Sequence, residues 1–316
     1  MSYWVAFEYC LAVTLPVFVI VFLGCFLKYR RHIDDAFVNS ASSLVFNLCL
    51  PLLIFLSILE NKVSLSEQLP LVAYCMGSAL LCFFIFWRGA SFWVGNANRG
   101  VVVQGAFRSN LGIIGIALCA KAFDSQGLAV GAVILSVVTP IYNVLSVYAL
   151  NYSESGGQKV PWLKTFKDIV RNPLIIAIAL GLVAAQIDFK LPKVLYDAGT
   201  YLANMTLPLA LIAIGGAISL RELKYSSSLS IWTVVVKLLV TPCIVVIPAY
   251  LLGFSGVELG CILLMFASPT ATASFIMVRA MGGNYQLASN IIVLSTMFSV
   301  LSISLLLYLI KLMALI

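Results

Sequence analysis

The chain has 316 residues, 62% of them hydrophobic and only 10% charged, with a mean hydropathy of +1.07. A soluble domain carries about 25% charged residues, and 19 basic and 12 acidic side chains cannot coat one of this length, so lipid must be the solvent for most of the surface. The net charge of +7 lies in short loops between apolar runs, a pattern of membrane topology rather than of nucleic-acid binding.

A helix that crosses about 30 Å of hydrocarbon needs about 20 mostly apolar residues. On that rule the chain reads as ten spans, near 7–27, 38–59, 69–87, 100–122, 127–150, 172–187, 195–220, 228–252, 256–280 and 286–313. The first is read as a span and not as a signal peptide, because no basic residue precedes it and no small-residue cleavage site follows. The expected fold class is therefore an all-α integral membrane protein.

Between the fifth and sixth spans lies the main hydrophilic stretch, a Ser-Glu-Ser-Gly-Gly run followed by Val160-Pro-Trp-Leu-Lys-Thr-Phe-Lys-Asp. It reads as a cytoplasmic linker ending in an amphipathic surface helix. Alternate loops divide the basic residues unequally: twelve, from Lys28 to Arg279, fall on one side, and five (Lys62, Lys121, Lys190, Lys193, Lys311) on the other. The richer side is cytoplasmic, which puts both termini outside the cytoplasmic (inner or plasma) membrane. Trp4, Trp87, Trp93 and Trp162 read as interface anchors.

The two halves repeat. At an offset of 157, Pro16 falls on Pro173, Gly24 on Gly181, Asn47 on Asn204 and Pro51 on Pro208; at 159, Phe107 falls on Phe266 and Ser109 on Ser268. Pro, Gly and Asn are scarce inside helices, so their coincidence carries more than a match of leucines. Five spans per copy is an odd number, so the copies are inverted: 1–150, a linker at 151–171, and 172–316. Inverted repeats are the plan of many secondary transporters, with substrate held where the repeats meet.

The fourth span reads Gly105-Ala-Phe-Arg108-Ser109-Asn110-Leu-Gly112-Ile-Ile-Gly115 and the ninth Phe266-Ala-Ser268-Pro269-Thr270-Ala-Thr272. Each puts helix-breaking residues near the centre of an apolar run. Ser109, Asn110 and Ser268 suit N-cap positions, and Pro269 the first turn of a new helix. Two half-helices would then aim positive N-terminal ends at the membrane centre, where free N–H groups and hydroxyls could hold a carboxylate. Arg108 and Lys237 are basic residues at membrane depth, which makes them functional-site candidates; contact with substrate and support of broken-helix carbonyls both remain open for each. Asn47 and Asn204 stand one turn before Pro51 and Pro208, either bonding backbone groups that the prolines free or lining the path.

Eight cysteines without a CxxC pair and a single histidine, His32, argue against a disulfide framework, a zinc site or haem. No cofactor or metal is expected. Neither a Ser/His pair nor a His/Asp pair lies at membrane depth, which argues against an enzyme.

Asn47-x-x-x-Pro51, Phe107-Arg108-Ser109-Asn110-x-Gly-x-x-Gly115, Arg171-Asn172-Pro173, Leu207-Pro208 with Gly215-Gly216, and Ser268-Pro269-Thr270-Ala-Thr272 together resemble the auxin efflux carrier family over nearly the whole chain. That family includes plant PIN-type exporters and bacterial permeases for malate, malonate and similar acids. The resemblance implies ten helices as a 5+5 inverted repeat with broken, crossing helices four and nine. It also implies a scaffold of spans one, two, six and seven that allows a homodimer, and a transport domain that moves as an elevator. Asn110 matches the family's crossover asparagine, and Pro269 its counterpart. The chain lacks the long central loop of plant members and has Ile116-Ala117 where many members have a proline. A permease for a small organic anion is the expected function, with Ser109, Asn110, Ser268, Pro269, Thr270, Arg108, Asn47 and Asn204 as substrate-binding candidates. A sodium-coupled symporter of a bulkier acid and an anion sensor without transport are the alternatives.

Overall fold

The computed structural model describes residues 3–61, 65–155, 173–187, 189, 191–217 and 228–316. The expected linker and its surface helix fall largely in 156–172, outside the described residues, as do Trp162, Arg171 and Asn172. The rest is helical: α1 Tyr3–Tyr29, α2 Asp35–Leu44, α3 Leu50–Asn61, α4 Leu65–Ala90, α5 Asn96–Phe107, α6 Ile116–Ser155, α7 Pro173–Gln186, α8 Lys193–Ala217, α9 Ser228–Val235, α10 Thr241–Leu251, α11 Gly256–Ala267, α12 Ala273–Ala280 and α13 Tyr285–Leu312. One π-helical turn, Val45–Cys49, joins α2 to α3; another, Val236–Val240, joins α9 to α10; a third, Leu111–Gly115, opens α6.

Among the described residues, seven helical stretches are long and apolar enough to cross a membrane: Leu11–Tyr29, Asp35–Leu56, Gln68–Ala90, Leu111–Ser153, Lys193–Ala217, Ser228–Leu251 and Tyr285–Leu312. The protein is an all-helical integral membrane protein with multiple spans. Its faces follow from the solvent. On α1, Leu15, Val19, Phe22 and Phe26 are exposed while Val13, Val17, Phe18 and Val21 are buried, so one side meets lipid and the other the bundle.

Leu111–Ser153 is longer than one crossing. It breaks at Phe123 and Asp124, where Asp124 takes φ 50°, and the part beyond the break matches the expected fifth span. Two glycines make this corner possible. A Cβ on Gly127 would lie 2.3 Å from the Cys119 carbonyl oxygen, and one on Gly260 would lie 2.2 Å from the Phe123 ring.

Two of the π turns have a local cause. Pro51 and Pro242 have no N–H to return to the preceding turn, and the ladder resumes one residue wider: the Leu50 N–H reaches Val45 O, and the Thr241 N–H reaches Val236 O. Helix α1 packs on α8, and α3 packs on α7. In the first contact Gly24 faces the Ile212 backbone; in the second Gly181 faces the Ile58 side chain.

Candidate functional site

The two interrupted runs meet. Helix α5 stops at Phe107, Arg108 and Asn110 are non-helical, and a π turn restarts at Leu111. On the other run α11 stops at Ala267 and α12 starts at Ala273. The loose ends pair as a short antiparallel bridge between Ser109 and Thr270: the Asn110 N–H donates to Pro269 O at 2.7 Å, and the Ala271 N–H to Arg108 O at 3.1 Å. Backbone groups freed by the breaks thus satisfy one another inside a buried site, as a membrane interior demands.

The hydroxyls serve the half-helices that end here. Thr270 Oγ1 donates to Gly105 O at 2.7 Å and Thr241 Oγ1 to Ala106 O at 3.1 Å, which closes the end of α5. Ser268 Oγ donates to Leu264 O at 2.7 Å and Ser109 Oγ to Phe266 O at 3.0 Å, which closes α11. Lys237, from the π turn after α9, adds its ammonium to the Ser109 hydroxyl oxygen and, at 3.1 Å, to Phe266 O. Ser295 on α13 accepts the Thr270 N–H at 3.1 Å.

This corrects the capping expectation in part, for Asn110 does hold the N-cap position before Leu111. Ser268 ends a helix rather than starting one, Pro269 lies in the crossing segment, and Asn110 precedes the π turn without a side-chain cap bond. The crossing segments are extended because they pair with each other, and that geometry turns the hydroxyls back to the carbonyl ends. Helix α12 likewise starts without a side-chain cap, from Thr272. Neither N-terminal end at the crossing has a side-chain cap, while on α12 the Ser274 and Phe275 N–H groups turn back to Ala271 O and Thr272 O; the positive dipole ends still favour an anion.

In an extended segment alternate side chains share a side. Ser109 turns to Lys237; Arg108 leaves the other way, toward α6. Arg108 is 6% exposed, and its guanidinium donates to Asn143 Oδ1 at 2.7 Å and Ser146 Oγ at 3.1 Å, with Met277 Sδ at 2.8 Å. All three neighbours are neutral. A basic residue at bilayer centre costs about 2.5–3.5 kcal/mol on insertion scales, and no carboxylate is recorded against Arg108 or Lys237 among the described residues, where the recorded ion pair is Lys28 with Asp35. Asn110, 5% exposed, has a side-chain amide nitrogen with no partner, and the buried Ser274 hydroxyl on α12 also lacks one. An unpaired buried donor costs about 1–3 kcal/mol. Cationic and neutral donors thus remain at the crossing with no carboxylate of the described residues to meet them.

Space is scarce here. The crevice beside Gln104, Gly105, Thr270 and Ser274 has no room for a water molecule. The roomier cavity, ≈ 240 Å³, opens among Phe86, Trp93, Val102, Ala106 and Val236. Its apolar walls suit hydrocarbon, not a carboxylate.

The fold brings together Arg108, Ser109, Asn110, Ser268, Pro269 and Thr270. It leaves Asn47 and Asn204 out: both are exposed, and the Asn47 amide donates to Ser43 O at 2.9 Å and Ser43 Oγ at 3.1 Å, in the turn before it and not on a carbonyl that Pro51 frees. Trp87 is also more than an anchor, since the Arg99 guanidinium stacks 4.0 Å from its ring and donates to its carbonyl at 2.6 Å. The residues missed by sequence reasoning are Asn143, Ser146, Thr241, Met277 and Ser295. Asn143 and Ser146 carried a usable signal, two polar residues one turn apart in an apolar span.

A family model described as "Membrane transport protein" matches residues 10–307. Among curated relatives, an uncharacterized transporter of Methanocaldococcus jannaschii is 22% identical, with 93% of this chain and 96% of that protein covered. A Rhizobium meliloti protein named "Putative malonate transporter" is 26% identical, with 94% of each covered. An uncharacterized transporter of Escherichia coli K12 is 24% identical, over 83% of this chain and 85% of its own.

Proposed function

Because this chain belongs to the membrane transport protein family, the auxin efflux carriers among them, and that family is one of transporters rather than enzymes, we propose that it is a secondary transporter for a small organic carboxylate, malate or malonate in kind, working by elevator-type alternating access. The carrying observation is the unbalanced charge at the crossing: a buried Arg108 with only neutral partners beside a buried, unpartnered Asn110 amide. A carboxylate bound there would take up both, with the uncapped starts of α12 and of the turn at Leu111 adding positive dipole ends. Ser109, Ser268, Pro269 and Thr270 then act through the backbone shape they hold. The relative from Rhizobium, named for malonate, points to the same substrate class.

The proposal includes the ten-helix, 5+5 inverted-repeat plan, with 1–150 and 172–316 as repeats joined by a linker at 151–171 and both termini outside. Two reciprocal contacts support it, since α1 packs on α8 through Gly24 as α3 packs on α7 through Gly181, the glycine pair that the 157-residue offset superimposes.

Thermal unfolding of the purified protein with malonate, malate, succinate and indole-acetate tests the binding. A ligand at a hundredfold excess over its Kd adds about 2.7 kcal/mol to the folded state. A small dicarboxylate is expected to raise Tm, and Asn110→Ala to abolish that rise while leaving the ligand-free Tm near wild type. A folded protein indifferent to every acid overturns the reading; so does an Asn110→Ala variant that binds unchanged.

A further inference from the structure

Lys237 is 0% exposed and sits within the π turn Val236–Val240. Its ammonium reaches two acceptors on different broken runs: the Ser109 hydroxyl oxygen in the first half and the Phe266 carbonyl in the second. Ser109 in turn gives its own proton to Phe266 O at 3.0 Å. Three segments far apart in sequence therefore converge on one ammonium group.

The two carbonyl ends at the crossing are treated differently. The end of α5 is closed by neutral hydroxyls, Thr270 on Gly105 and Thr241 on Ala106. The end of α11 receives the Lys237 amino group instead, placed where the helix dipole is negative. The same turn explains how the lysine arrives there: Thr241 accompanies it, its N–H on Val236 O and its hydroxyl on both Val236 O and Ala106 O, so one widened turn delivers both Lys237 and Thr241 to the crossing. Ser109 lies between Arg108 and Asn110, and an extended segment gripped at its middle residue has its flanking side chains aimed the opposite way.

We propose that Lys237 is a positioning residue that acts as a tethered cation: its ammonium pins Ser109 to the end of α11, and so aims Arg108 and Asn110, doing from within the chain what a bound inorganic cation would otherwise have to do. Anion binding then needs no added sodium or potassium. The effect on ligand affinity rests on the carboxylate reading above; the pinning of the crossing does not.

The test uses full-length wild type, Lys237→Ala and Lys237→Arg in detergent. Without any carboxylate, Lys237→Ala is expected to melt below wild type and to be restored by n-propylammonium chloride, not by 1-propanol or sodium chloride at the same concentration. Lys237→Arg is expected to melt between the two. Equal restoration by propanol, or a Lys237→Ala variant as stable as wild type, overturns the proposal. If Lys237→Ala fails to fold, wild type and Lys237→Arg decide it through malonate affinity. That affinity is expected to change less than twofold when choline replaces sodium and potassium, and to fall about tenfold in Lys237→Arg, whose planar fork cannot reproduce a point charge. Affinity that requires sodium or potassium, or is unaltered in Lys237→Arg, overturns it. Absence of malonate binding by wild type counts against the carboxylate reading alone; the pinning is then judged by the propylammonium arm or, where Lys237→Ala does not fold, by the melting of Lys237→Arg, which overturns the proposal if it matches wild type.

Discussion

Gly215→Ala gives the sharpest test of the packing. A Cβ on Gly215 would sit 1.9 Å from the Val21 carbonyl oxygen, 2.8 Å from the Cys25 nitrogen and 2.9 Å from the Gly24 Cα. Close C–H···O contacts bring carbon and oxygen no nearer than about 3.3 Å, so against 1.9 Å the methyl group is short by about 1.4 Å. Every obstructing atom is backbone, so no rotamer change relieves it; α1 and α8 must part. Overpacking of this kind costs about 1–3 kcal/mol, and the upper end is expected where both walls are helix backbone. Gly24→Ala meets the same crossing from the other side, 2.3 Å from Ile212 O. Once either substitution has separated the helices the second has less to displace, so the double variant is expected to lose well under the sum of the two. Thermal and denaturant unfolding in one detergent, followed by tryptophan fluorescence, measures all three. Gly77→Ala, with nothing within 4 Å of its added carbon, serves as control and is expected to match wild type. Equal midpoints for Gly215→Ala and Gly77→Ala, or full additivity of the pair, would refute the reasoning.

Two further outcomes follow from the crossing. Thr270→Val removes the donor to Gly105 O and is expected to destabilise by about 1–3 kcal/mol, the cost of an unsatisfied buried acceptor; Thr270→Ser, which keeps the hydroxyl, is expected to recover most of it in the same unfolding assay. Arg108→Met keeps the length of the side chain but strands Asn143 and Ser146, and is expected to weaken malonate binding by about tenfold or more, about 1.4 kcal/mol, in isothermal titration. Unchanged affinity there would remove Arg108 from the site.

What was legible in the sequence was whatever depends on neighbours along the chain. The apolar runs showed where helices lie, and the clusters around Ser109 and Ser268 showed where two of them break, because Gly, Pro and Ser disfavour a helix interior in any context. The partners of those broken ends were not legible. Thr270 closes Gly105 from 165 residues away and Lys237 reaches Ser109 from 128 away, and no local rule anticipates such pairs. The capping expectation failed at Ser268 for the same reason: that residue looked like the start of a helix until the antiparallel pairing with the other run turned its hydroxyl back onto Leu264. Asn47 shows the reverse case. The sequence left both a backbone role and a place in the path open to it, while its amide finds Ser43 one turn away, a purely local bond.

The central claim, that the crossing binds a small organic carboxylate in order to move it, is tested most directly by counterflow. Proteoliposomes loaded with unlabelled malonate would be diluted into a trace of labelled malonate, with wild type and Asn110→Ala compared at equal incorporation. The account predicts transient accumulation of label by wild type and none by Asn110→Ala. Binding of malonate without accumulation, or accumulation that survives Asn110→Ala, would contradict it.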